Sequence, residues 1–257
     1  MDYKKIFDLT GKTAIVTGGA VGLGREMAEA IAQFGSNIVV VDIQGEAAEK
    51  AAQELKETYN VKTLGIEVDV TREDHVQQMI QQAVSKFNTI DILLNNAGIC
   101  QKIDALDQDY NDWKKTIDVN INGVFLVAKY VGEVMKENGG GSIINTASMS
   151  GIIANRESQT AYNSSKAAVA MMTKSLASEW VNDNIRVNAI APGYMKTEMA
   201  RPLFEEDGEL KWVLDLVPMK RLGEPYELGG TIVLLASDAS SFTTGSVFVI
   251  DGGYTIW

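Results

Sequence analysis

The chain has 257 residues, enough for one large α/β domain or two small ones around a substantial core. Acidic residues outnumber basic ones 34 to 23, and the net charge of −11 argues against nucleic acid or an anionic membrane surface as a partner. A single cysteine, Cys100, excludes an intrachain disulfide, while a single histidine, His75, excludes a Cys/His metal cluster and leaves little for a Ser–His–Asp triad.

No apolar run approaches the roughly 18 residues needed to span a bilayer. The opening MDYKKIFDLTGK lacks the apolar core of a signal peptide, so a cytoplasmic protein is expected. His75 lies in a helical pattern with Val76 and Met79 and reads as a solvated surface residue. Acid–base work therefore falls to Tyr, Lys, Asp or Glu.

In chain order, apolar runs of about five residues alternate with amphipathic stretches. TAIVT at 13–17 reads as a buried strand, followed by a helix over 26–34 with Met27, Ile31 and Phe34 on one face. IVVVD at 38–42 is the second strand, and Ala47, Ala51 and Leu55 mark the next helix. A third strand spans 63–68, interrupted by Gly65, before a helix marked by Val76, Ile80, Ala83 and Phe87. IDILLN at 90–95 is the fourth strand. One long helix then carries Trp113, Ile117, Ile121, Phe125, Ala128 and Met135 down one side and stops at Gly139-Gly140-Gly141. Strands at 142–146 and 185–190 flank a helix over 162–180, and a helix over 226–236 precedes a seventh strand at 246–250.

Near-continuous apolar strands separated by helices predict a parallel sheet covered on both faces, a doubly wound α/β fold. Nothing resembles a linker, a repeat or a low-complexity tract, so residues 1–257 read as a single domain. Only 194–224 breaks the rhythm, with Pro202, Pro218, the acidic run Glu205-Glu206-Asp207-Gly208-Glu209, and Phe204, Trp212 and Leu216. A long irregular insert of this kind is either a substrate lid or a surface excursion.

Directly after the first strand stands Thr17-Gly18-Gly19-Ala20-Val21-Gly22-Leu23-Gly24, and then helix. At a strand–turn–helix junction, glycines let backbone amides approach a pyrophosphate, and the helix N-terminus adds donors and partial positive charge. Asp42 closes the second strand 18 residues beyond Gly24, where an acid accepts both ribose hydroxyls of an adenosine and repels the phosphate that distinguishes NADP. Like charges about 4 Å apart cost several kcal/mol at intermediate dielectric. Val21 and Ile43 occupy the sites where a compensating cation would stand, so NAD is the expected cofactor.

The stretch 148–166 ends Tyr162-Asn163-Ser164-Ser165-Lys166. If it opens a helix, the phenol and the ammonium, four residues apart, share one face. A cation about 4 Å away stabilises a phenolate by roughly 4 kcal/mol, about three pK units, enough to bring proton exchange near pH 7. The same spacing also describes an incidental pair on an exposed helix start.

Over essentially its whole length the chain resembles the short-chain dehydrogenase/reductase family, a Rossmann-type fold with a seven-stranded parallel sheet. The matching motifs occur in order: TGGAVGLG, Asp69-Val70, Asn95-Asn96-Ala97-Gly98, Asn120, Ser148, YNSSK, and Pro192-Gly193 followed by Thr197. The resemblance implies that Asp69 and Val70 hold the adenine edge, and that Asn96, Ala97 and Gly98 line the cofactor cleft. It places Thr197 on the nicotinamide carboxamide with Met195 nearby. It makes Asn120, Ser148, Tyr162 and Lys166 a catalytic tetrad in which Asn120 holds a proton-relaying water through Lys166. Without the resemblance, an alternative reading of Asn120 is an Asn bonding backbone within its own helix. A homotetramer is expected on the same basis, with the apolar end Tyr254-Thr255-Ile256-Trp257 packed against a neighbouring subunit.

The stretch 142–180, with PGYMKTEM downstream, looks most like the polyol and sugar-alcohol members of the family. Gln101, Asn155, Glu157 and Gln159 flank the catalytic residues, where they either hydrogen-bond a polyhydroxylated substrate or are merely solvated. Cys100 either faces the substrate or fills space. Within the class, the alternatives are a 3-oxoacyl carrier-protein reductase or a hydroxysteroid-type enzyme; outside it, an NAD-binding sensor without turnover.

Overall fold

The computed structural model describes residues 2–198, 204 and 210–256. Seven parallel strands form one sheet: β1 (Thr13–Thr17), β2 (Asn37–Asp42), β3 (Thr63–Glu67), β4 (Ile92–Asn95), β5 (Gly141–Thr146), β6 (Ile185–Pro192) and β7 (Val247–Ile250). Their spatial order is β3-β2-β1-β4-β5-β6-β7. Side chains alternate across the sheet, as the pleat requires. Ala14, Val16, Ile38, Val40, Ile92 and Leu94 face one apolar layer, while Ile15, Val39, Val41 and Leu93 face the other.

The first layer is closed by α1 (Gly22–Gln33), α2 (Gly45–Tyr59) and α8 (Gly229–Ala236), through Met27, Ile31, Leu55 and Ile232. The second is closed by α3 (Glu73–Phe87), α5 (Val124–Glu137) and α6 (Thr160–Trp180), through Met79, Phe87, Val131, Met135 and Leu176. Two short helices complete the set, α4 (Tyr110–Ile117) and α7 (Val213–Leu216). The expected doubly wound sheet is present, with element ends shifted by a few residues. Among the described residues no helix is long and apolar enough to cross a membrane.

The long helix expected across 113–135 is two helices joined by a π-helical turn at Asp118–Gly123. A π turn admits an extra residue and rotates the downstream helix by about 100°. Of the downstream residues expected on the inner stripe, Ala128 and Met135 are buried and Phe125 is exposed, while Val124, Val127 and Val131 join the buried face. His75 also departs from expectation. It is half-buried, and its Nδ1 accepts the Asp69 backbone N–H at 3.3 Å.

Within 194–224, the described apolar residues Phe204, Trp212 and Leu216 pack around Met149, Val213 and Tyr254 as a small satellite core. The acidic run 205–209 and Pro202 lie outside the described residues. So does Trp257; Tyr254 is buried inside its own subunit, which removes it from the expected intersubunit contact, while Ile256 is exposed.

Candidate active site

Strand order reverses between β1 and β4, so their connections diverge, and a cleft of about 680 Å³ opens at the carboxyl ends of the strands. Its wall brings together residues from five segments: Gly18, Val21, Leu23 and Gly24; Asp42 and Ile43; Asp69 and Val70; Asn96, Ala97 and Gly98; and Tyr162 with Lys166. The glycine turn is tight for a steric reason. Gly18 sits at φ +61° and Gly22 at φ +59°, and a Cβ on Gly24 would collide with the Gly18 carbonyl oxygen.

Asn96 belongs to the wall, but its amide is committed to the glycine turn. Nδ2 donates to the carbonyls of Thr17 and Gly18, both at 3.2 Å. The Thr17 hydroxyl in turn accepts the backbone N–H groups of Asn96 and Ala97 at 2.9 and 3.0 Å, joining the two strands at the switch point. Asp42 is buried, and its two oxygens accept the N–H groups of Ala20 and Gln44 at 3.3 and 3.1 Å, which leaves further lone pairs on each. Asp69 Oδ1 takes the N–H and hydroxyl of Thr71. These residues suit a dinucleotide: a glycine turn too tight for side chains, a helix start supplying amides, and an aimed carboxylate at the end of β2.

At the other end, α6 presents Tyr162 and Lys166 on one face, as the spacing predicts. Lys166 Nζ lies 5.7 Å from the Tyr162 ring centroid and donates to the Thr146 carbonyl at 2.7 Å. The electrostatics differ from expectation. Burial pushes the Tyr162 phenol up to about 12, a hydrogen bond from Ser148 offsetting part of the rise, and Cys100 and Glu157 add to it. Burial also pulls Lys166 down to about 8. Desolvation of both groups thus outweighs the attraction that the spacing alone suggests.

Ser148 caps the turn Met149–Gly151, its hydroxyl accepting the Ser150 N–H at 3.1 Å. Asn120 is fully buried in the π turn but does not bond backbone within its own helix. Its Oδ1 accepts Ile99 N–H at 2.8 Å, and its Nδ2 donates to Ile99 O at 2.8 Å and Ser165 Oγ at 3.0 Å. It ties the loop after β4 to the helix carrying Tyr162.

Pro192, Gly193, Met195 and Thr197 are not on this wall. Met195 is buried in the core against Gly223, with which it forms a β-bridge. Gly193 abuts Asp251, where a Cβ would approach the Asp251 Cα to 2.6 Å, and its N–H donates to Ile250 O. Thr197 N–H donates to Met195 O.

The mouth beside Tyr162 is polar. Glu157 accepts hydrogen bonds from Tyr194 Oη at 2.6 Å and Asn155 Nδ2 at 2.8 Å, and pairs with Lys102 at 2.5 Å. Gln159 Nε2 lies within 3.0–3.3 Å of Asn155, Asn163 and Ser150. Gln101 departs from the expected group, because its amide is held by Asp112 and Thr116 on α4. Cys100 lines the cleft, its thiol 3.5 Å from Gln159 Oε1. Sequence reasoning missed Gln44, Thr146, Lys115 and Val119 on the wall. Thr146 serves through its carbonyl, a group every residue carries, whereas the 115/119 spacing on one helical face was a usable signal.

Comparison with known proteins places this site among oxidoreductases built on a dinucleotide-binding sheet. A family model described as enoyl-(acyl carrier protein) reductase matches residues 18–255. The galactitol 2-dehydrogenase (L-tagatose-forming) of Cereibacter sphaeroides is 39% identical over all of both chains. The NADP-dependent mannitol dehydrogenase of Hypocrea jecorina is 41% identical over 97% of this chain and 94% of its own. A short-chain type dehydrogenase/reductase from Mycobacterium marinum superposes with a TM-score of 0.94 at 40% identity, over 99% of each chain. The chain belongs to the short-chain dehydrogenase/reductase family, whose members work with a nicotinamide cofactor.

Proposed function

We propose that the protein is an NAD-dependent dehydrogenase that exchanges hydride with a secondary alcohol of a polyol or sugar alcohol. The observation that carries this reading is Tyr162 and buried Lys166 at one end of a cleft, with buried Ser148 hydrogen-bonded to Tyr162, and a glycine turn and Asp42 at the other end. The turn from Gly18 to Gly24 would hold the pyrophosphate, Asp42 the adenosine ribose, and Asp69 with Val70 the adenine edge. When bound, the nicotinamide accepts or supplies the hydride.

The chain's own residues handle the proton. Tyr162 Oη takes it from the alcohol in oxidation and returns it to the ketone in reduction. The Ser148 hydroxyl donates to the substrate oxygen and orients it. Lys166, fixed by the Thr146 carbonyl, brings positive charge beside Tyr162. Asn120 keeps the loop after β4 in register with α6. By the resemblance, Pro192, Gly193, Met195 and Thr197 would stand toward the nicotinamide end, and segment 194–224 would act as a substrate lid.

NAD is favoured because, among the described residues, no cation pairs with Asp42. Lys50, the nearest in sequence, pairs with Glu54, and Arg25 on α1 is spent on Glu29, Glu54 and the Ala51 carbonyl. The NADP-dependence of the mannitol relative makes this the part of the reading most open to test. The mouth formed by Asn155, Glu157, Gln159 and Tyr194 suits hydroxyl groups better than a steroid or an acyl chain. The deciding experiment is a screen of sugar alcohols, keto sugars and hydroxy acids with NAD(H) and NADP(H), followed at the NADH absorbance. NADH formation from polyols supports the reading; NAD binding without turnover of any alcohol or ketone overturns it in favour of a sensor.

A further inference from the structure

Four charged residues line the cleft: Asp42, Asp69, Lys115 and Lys166. Lys166 is committed, buried and bonded to the Thr146 carbonyl. Lys115 is not. It stands on the last turn of α4, four residues before Val119, so one helical face delivers both to the cleft wall. Among the described residues its ammonium makes no ion pair or hydrogen bond, whereas the adjacent Lys114 is paired with Asp118. A chain with net charge −11 and two carboxylates on this wall meets an anionic ligand at an electrostatic disadvantage that one unspent cation reduces.

We propose that Lys115 is a cofactor-binding residue whose ammonium contacts the anionic adenosine diphosphate part of the dinucleotide. This rests on the dinucleotide reading above and adds a residue that the motifs do not mark. Lys115 is exposed at the cleft edge, so the contribution of the contact is modest and weakens with salt.

The test is equilibrium binding of NADH, by its fluorescence, and of ADP-ribose, by calorimetry, to the unaltered protein and to Lys115→Met, Lys115→Arg and Lys114→Met. Lys114→Met removes the same charge one residue away and reports the general field. Lys115→Met is expected to weaken both ligands about three- to fivefold at low salt, the loss shrinking at about 0.5 M salt, while Lys115→Arg stays near the unaltered protein. Equal effects of Lys114→Met and Lys115→Met, or no loss in Lys115→Met, overturn the proposal while leaving the dinucleotide reading intact. Unaltered protein that binds neither NADH nor NADPH overturns both.

Discussion

Tyr162 and Lys166 illustrate how burial outweighs spacing. With the phenol pushed up to about 12, Tyr162 carries its proton at neutral pH, so the site is poised to reduce a ketone and short of the phenolate that oxidation needs. Raising the pH increases the phenolate fraction about tenfold per unit while it stays below the phenol pKa. The kcat/KM for alcohol oxidation should therefore climb from about pH 6. It should bend near pH 8, where Lys166 loses its proton and the charge beside the ring disappears. Tyr162→Phe should lower kcat by about 10²–10⁴-fold and abolish that limb, with NADH affinity retained. A flat profile in the unaltered enzyme between about pH 6 and the Lys166 pKa of about 8 would contradict this. Asp42 allows a second test at this scale. Asp42→Ala should narrow the preference for NAD over NADP, read as the ratio of kcat/KM values; equal use of both by the unaltered protein would refute the assignment. Both acidic and basic partners were legible from residue type and position. The direction of the Tyr162 shift was not, because desolvation depends on what the rest of the chain stacks over the group.

Among the elements, the glycine turn and the start of α1 are held by contact at the steric limit. Gly24→Ala forces Cβ against the Gly18 carbonyl and toward Asn96 Nδ2, so the turn must shift. Overpacking of this kind costs about 1–3 kcal/mol, and we expect Tm to fall by several degrees with NADH binding weakened. An unchanged Tm and unchanged binding would show that the turn yields freely. The strands were legible because both faces are buried and nearly every position is apolar. The break between α4 and α5 was not, because its cause is remote in sequence: Asn120 bonds to Ile99 and Ser165, and Gly123 packs on Val70. The orientation of the Met195 side chain was not legible for a similar reason. Its place beside Pro192-Gly193 matched the motif, but the chain turns its side chain into the core against Gly223.

For the whole molecule, apolar groups stand exposed on the outer faces of two helices, Phe125 on α5 and Met171 on α6, with Leu106 before α4 and Tyr110 at its start, and we propose that they are covered in the expected homotetramer. In the C-terminal tail Tyr254 is buried and Ile256 is exposed. Light scattering should give four times the chain mass, and Phe125→Glu with Met171→Glu should yield smaller species; a monomeric unaltered protein would refute the assembly. The π turn also constrains how this protein can diverge. Losing one residue between Asp118 and Gly123 would restore a regular helix yet wheel the Val127–Val131 stripe out toward water, so drift by insertion or deletion should be tolerated at surface loops such as 103–108 and purged from this stretch.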